Sequence, residues 1–259
     1  MEFQTGIDIT PTTKPLGFTY GKETFGPKVE NRRLSQIRKS LLNPECDGPD
    51  PVYAIAMGVG NKDDLEKLNE RNLLFGVVTY AAGKLGHEPV RSQGHVHIPA
   101  RHNKLSPPEI YEIWSGKAII YMQEYDQTNP GKCYAVNAGP GDVVVVPPNW
   151  VHATISADSN SPLTFGAWCD AGYKFDYTGV RAHKGLAWFP VLDNKGQIQW
   201  IPNENYLYSA LIKKSPNDYD SLNIEKGLSI YQQFQKNPDR FLYISNPHLK
   251  ENVWNHFEP

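Results

Sequence analysis

The sequence predicts an all-β domain of the barrel or sandwich type, and three observations carry that prediction. From Val52 onward, short apolar runs succeed one another at close, regular spacing, as in multi-stranded sheets. The segments between them are rich in turn residues, drawn from 21 glycines and 21 prolines. Aromatic residues make up 12% of the chain and the apolar fraction is only 39%, which suits stacked strands better than a helical bundle. A length of 259 residues fits one large β-rich domain with additions at its ends.

Residues 1–50 read as an N-terminal arm, because Pro11, Pro15, Gly17, Gly21, Gly26 and Pro27 interrupt any regular element. One helix is expected over residues 34–42, closed by Pro44. The basic cluster of Arg32, Arg33, Arg38 and Lys39 reads as a solvated helix face and is given no role. Residues 51–200 form the barrel, with strands expected in VYAIAM, LLFGVVTYAA, EIYEIW, KAIIYMQEY, CYAVN, DVVVVP, VHATIS and PLTFGAW. A short helix interrupts at residues 63–70, with Asn61 as its cap. Turns are expected at 82–86, 129–131, 139–142 and 193–196. Residues 201–259 are more polar, show helical apolar spacing over 221–234, and are expected to pack on the barrel as an extension.

With 26 basic and 28 acidic residues the formal charge is −2, so no overall field favours nucleic acid or an anionic membrane. The N-terminus lacks a basic start followed by an apolar core. No apolar run approaches the roughly 20 residues needed to cross a bilayer, and a cytoplasmic location is expected. Cys46, Cys133 and Cys169 are scattered without CxxC spacing, which argues for reduced structural thiols and against a disulfide framework or thiolate zinc site. Only Cys169 lies near the candidate site in sequence.

That site begins at His95-Val96-His97. Histidines two apart on a strand point to one face and can share a metal ion. Glu109 opens the EIYEIW strand and His152 precedes ATIS, so four ligands come from three segments. Three imidazoles and a carboxylate without thiolate suit Fe(II), Mn(II), Ni(II) or Zn(II). Four protein ligands on a six-coordinate ion leave two positions for two substrate oxygens. His87, His102, His183, His248 and His256 lack such partners and read as ordinary residues.

The order G-H-x-H, E-x-Y, P-G-D and V-P-P-x-W-x-H resembles the two motifs of the cupin superfamily, whose members are small double-sheeted jelly-roll barrels. More narrowly, SQGHVH, EIYEIWSGKAIIYMQ, GPGDVVVVPPNWVHATI and the later DAG look like the metal-dependent, cupin-type glucose-6-phosphate isomerases, over about residues 50–190. The resemblance implies a metal held by His95, His97, Glu109 and His152, with Fe2+ favoured and Mn2+, Ni2+ or Zn2+ as alternatives. It also implies interconversion of glucose 6-phosphate and fructose 6-phosphate, in glycolysis and gluconeogenesis, by a homodimer.

Aldose–ketose isomerisation needs a base to move a proton between C1 and C2 and a cation to stabilise the enediolate. Glu109 is assigned both ligand and base; Tyr111, on the same face, contacts a sugar hydroxyl, whereas alternation turns Glu112 away. The resemblance places phosphate contacts at Tyr53, Ser92 and Gly94, with Val78 or Thr79 nearby, and Arg91 and Lys84 supplying charge. Two departures stand out. The chain has about five extra residues between His97 and Glu109, and the family's histidine after DAG is replaced, leaving Tyr173 or Lys174 to assist ring opening. Alternatives in the same fold are a mannose-6-phosphate isomerase, a cupin dioxygenase and a non-catalytic sugar-binding cupin.

Overall fold

The computed structural model describes residues 3–99 and 104–259; part of the insertion after His97, with His102, lies outside these. Ten strands build the core: β1 Glu30–Arg32, β2 Tyr53–Met57, β3 Leu73–Tyr80, β4 Glu109–Ser115, β5 Ala118–Gln123, β6 Cys133–Ala138, β7 Val143–Val146, β8 Val151–Ser156, β9 Leu163–Asp170 and β10 Leu211–Lys214. A six-stranded antiparallel sheet runs β7-β4-β9-β3-β2-β1. A four-stranded sheet runs β8-β5-β6-β10, its last pair parallel. Because β4 passes to β5, and β7 to β8, the chain crosses repeatedly between the sheets and closes them face to face. This is the all-β cupin barrel.

The expected runs become strands because the barrel buries both of their faces. Inside, Tyr80, Tyr111, Ile113 and Phe165 of one sheet meet Ile120, Met122, Tyr134 and Val136 of the other. Outside, Phe75, Ile110, Trp114 and Trp168 are covered by Ile230, Tyr231, Phe234 and Phe241 from the C-terminal extension. The outer face of the second sheet, with Ile119, Tyr121 and Ala153, is covered by Val180, Leu186, Trp188 and Tyr206. Strands buried on both sides read as nearly continuous apolar runs, which is why alternation is weak here.

The arm is more regular than the sequence suggests. Ile9–Thr13 and Leu16–Tyr20 form a hairpin around Lys14-Pro15, and Pro11 is tolerated because both strands of an isolated pair are edges. The expected helix at 34–42 is shorter, an α-turn at Leu34–Ile37 running into a 3-10 turn at Arg38–Ser40. Asn61 does not cap the 62–70 helical segment with its side chain, whose amide donates instead to the Gly6 carbonyl at 3.4 Å. In the extension, Gly227 at φ +76° breaks the expected 221–234 helix, and the α-helix is Ile230–Lys236, opened by a Ser229/Gln232 capping box. No described helix is long and apolar enough to cross a membrane.

Candidate metal centre and substrate cavity

His95 and His152 are locked together by backbone, His95 N–H donating to the His152 carbonyl at 3.1 Å and His152 N–H to that of His95 at 2.9 Å. Val96–His97 pairs with Phe175–Asp176, which fixes the second imidazole. Glu109 opens β4 opposite Val146 of β7. One donor atom from each of His95, His97, Glu109 and His152 lies within 4.8 Å of all the others.

The hydrogen-bond network assigns the ring protons. Nδ1 of His97 lies 3.1 Å from the Pro107 carbonyl and Nδ1 of His152 lies 3.1 Å from the Trp150 carbonyl. A carbonyl only accepts, so each Nδ1 carries a proton, and Nε2 is the atom through which each ring would bind a cation. Those Nε2 atoms stand 3.1 and 3.0 Å from the same carboxylate oxygen, Glu109 Oε2. Adjacent ligands on an octahedral ion with bonds of about 2.1 Å are separated by about 3.0 Å, so these spacings are those of a coordination shell. Buried Nε2 atoms of His95 and His97 have no hydrogen-bond partner among the described residues. The donor set therefore fits a divalent cation.

Electrostatics agree. Burial, with the His152 and His97 rings, holds His95 well below the ordinary imidazole range, so it is neutral and able to ligate. Burial pushes the Glu109 carboxyl up, but the adjoining His152 and His97 rings hold it, on balance, well below the usual carboxylate range. Tyr111 Oη donates to Glu109 Oε2 at 2.8 Å, and Cys169 Sγ donates to Oε1 at 3.2 Å. Burial and the nearby carboxylate keep both donors protonated.

The centre opens into a cavity of about 270 Å³. That is near the lower end of ligand sites, so it takes one small molecule. Tyr53, Ser92, Tyr111 and Tyr173 line it, as does Val78. A wider groove of about 750 Å³, beside Arg38, Lys39, Arg181 and Lys184, touches none of the four donors.

Several expected contacts are corrected. Thr79 faces outward and its hydroxyl pairs with Thr164 Oγ1 at 2.9 Å, since alternation gives the inner face to Val78. Arg91 is fully buried against Glu88 at 2.7 Å and against the Ser40 carbonyl, so it has no charge to offer a ligand. Lys84 and Lys174 do not line the cavity, and neither does Gly94. At φ +89°, with Leu186 Cδ2 only 2.6 Å from where a Cβ would stand, Gly94 shapes the turn into His95. Sequence reasoning missed Arg32, Tyr80, Phe175 and Tyr177, all of which line the cavity. The Phe175 ring packs 4.2 Å from that of His95. Only the same-face spacing of Tyr173, Phe175 and Tyr177 carried any signal of this in the sequence.

A sequence model described as Glucose-6-phosphate isomerase matches residues 38–209, about two thirds of the chain. The chain belongs to the glucose-6-phosphate isomerase family. Its relatives include the glucose-6-phosphate isomerase of Thermococcus kodakarensis, 28% identical over 200 residues that span 74% of this chain and 97% of the relative. The enzyme of the same name from Thermococcus litoralis is 29% identical over 190 residues, 67% of this chain and 92% of the relative. That of Pyrococcus furiosus is 28% identical over 201 residues, 74% and 97% respectively. Strands β2 to β9 and all four metal donors lie within the family match, whereas β1, β10 and the rest of the last fifty residues lie outside it.

Proposed function

We propose that this family member interconverts glucose 6-phosphate and fructose 6-phosphate, with C1 and C2 of the open-chain sugar placed against His95, His97, Glu109 and His152. The observation that carries this reading is a cluster of four metal donors, one of them an ionised carboxylate, beside a cavity sized for one small ligand that His95 and Glu109 line. A divalent ion held by these residues would offset the negative charge that develops on the two enediolate oxygens. Fe2+ is favoured and Mn2+, Ni2+ or Zn2+ are alternatives, because imidazole and carboxylate donors suit all four.

Glu109 accepts the proton from C2 and returns it to C1, while the hydrogen of the C2 hydroxyl is transferred to the oxygen on C1. Tyr111 holds that carboxylate in place through Oε2 and presents its ring to the cavity. Tyr53, Ser92 and Tyr173 contact the sugar and its phosphate from the walls, and Tyr173 takes the place of the family histidine at ring opening. A direct hydride transfer from C2 to C1 is the second reading. It is favoured by one observation: both Glu109 oxygens already accept a donor, from Tyr111 and from Cys169.

A coupled assay with glucose 6-phosphate, before and after chelation and after restoring single metals, tests the activity. Metal-loaded protein without turnover would overturn it. In deuterated water, solvent label in the product supports proton transfer through Glu109, and complete retention of the substrate hydrogen supports hydride transfer. A cytoplasmic homodimer is the assembly we propose; the dimer is supported by exposed Ile212 on the edge strand β10 and by exposed Leu207 and Tyr208 just before it. Sedimentation of a monomer at micromolar concentration would count against it.

A further inference from the structure

We propose that Arg32, in the N-terminal arm, is the residue that reads the phosphate and makes the cavity select phosphorylated sugars; this rests on the isomerase reading above. Arg32 lies six residues before the family match begins at residue 38.

Strand register brings it to the site. Arg32 of β1 faces Tyr53 of β2, and Tyr53 faces Tyr80 of β3. Residues directly opposite on neighbouring strands share a face, and all three line the cavity. The same row continues to Leu163 of β9, whereas Ala167 of β9 faces Tyr111. Four residues along a strand is about 13 Å, so the Arg32 row and the Glu109–Tyr111 row enter the cavity from separate ends. A hexose phosphate has the same polarity, with its reacting carbons at one end of the chain and its dianion at the other.

The state of the guanidinium is the second observation. Among the described residues, every other arginine already holds a carboxylate, carbonyl or amide oxygen. Arg33, Arg71, Arg91 and Arg240 pair with carboxylates. Arg38 donates to the Pro44 and Cys46 carbonyls, and Arg181 to Gln93 Oε1. Arg32 is half-buried, and among the described residues it pairs with no carboxylate, carbonyl or amide oxygen, its one partner being the Tyr53 hydroxyl. Glu30, two residues earlier on the same face, stands at the exposed mouth and forms no ion pair with it. Beside Arg32, burial pushes the Tyr53 hydroxyl up to about 12 while the guanidinium acts the other way, so Tyr53 remains a neutral donor. A planar fork of N–H donors next to a phenol hydroxyl matches the oxygens of a phosphate dianion. With Arg91 committed to Glu88, Arg32 is the one cationic side chain lining the cavity among the described residues.

The test compares metal-loaded wild type with Arg32→Met and Arg32→Lys. For Arg32→Met, KM for glucose 6-phosphate should rise about 30-fold, the loss expected for hydrogen bonds to a charged group, with kcat changed far less. Binding of inorganic phosphate, measured by calorimetry, should weaken by a similar factor. Arg32→Lys should recover part of both, and metal content and Tm should match wild type. Unchanged phosphate binding in Arg32→Met would overturn the proposal, as would a fall in kcat and Tm with KM intact, which marks a structural role. Should wild type bind phosphate in an Arg32-dependent way yet turn over no hexose phosphate, the isomerase reading fails and the phosphate assignment stands.

Discussion

Cys169 Sγ lies 3.2 Å from Glu109 Oε1, the carboxylate oxygen that the imidazoles leave alone. Both residues are buried, and burial keeps the thiol protonated as a donor. The carboxylate is thereby gripped at each oxygen, by Cys169 on one and Tyr111 on the other.

Cys169→Ala should therefore lower kcat about fivefold, the worth of one hydrogen bond of about 1 kcal/mol, with KM and metal content little changed. Cys169→Ser restores a donor and should stay near wild type. Steady-state kinetics with metal analysis checks this; a Cys169→Ala enzyme of full kcat would show that the thiol does not orient Glu109.

Tyr111→Phe removes the donor on the metal-facing oxygen. Hydrogen bonds to charged groups contribute about 1.5–3 kcal/mol, so kcat should fall about 10- to 100-fold while the ring preserves the packing against Phe165. Full retention of bound metal would locate the loss in the proton step, and loss of metal would reassign Tyr111 to holding the ion.

How far the sequence carried the reading follows from range. His95, His97, Glu109 and His152 were legible because each sits in a local motif whose strand alternation fixes its face. Thr79 and Val78 illustrate the limit: a one-residue choice of face decides which lines the cavity, and the apolar run LLFGVV does not alternate because both faces are buried. Arg32 was illegible for a different reason. Its side chain reaches the cavity only because β1 docks on β2, a pairing no local pattern records. Arg91, which local position favoured, is neutralised by Glu88 three residues away.

Metal should bind in competition with protons, since the ligands act as neutral imidazoles and an ionised carboxylate. Because His95 is held well below its ordinary 6.5 and Glu109 well below 4.5, retention of a divalent ion should weaken as pH falls below 6.5 and fail further below 4.5. Bound metal stabilises the fold by mass action, about 2.7 kcal/mol at a hundred times Kd, and His152→Ala should lose that increment. Thermal melts with and without added metal, at several pH values, test both statements. Equal melting shifts in wild type and His152→Ala would remove His152 from the ligand set.

Glu112 shares β4 with Glu109 but faces outward, accepting Ile230 N–H at 2.8 Å and Trp114 Nε1–H at 3.0 Å beneath the C-terminal helix. Burial pushes its carboxyl from 4.5 up to about 8, against the lowering effect of those two donors. Between those values the folded protein keeps this proton and the unfolded chain releases it. The folded state then binds more protons, so this group's contribution to stability is full below about 4.5, declines as pH rises, and is exhausted above about 8. Glu112→Gln carries no such proton but leaves one of the two N–H groups without an acceptor, a cost of about 1–3 kcal/mol. The variant should melt below wild type at pH 5, and the gap should narrow as pH rises to 8 or 9. A gap that stays constant across that range would mean that Glu112 does not change ionisation on folding, and that the C-terminal helix rests on a fixed charge.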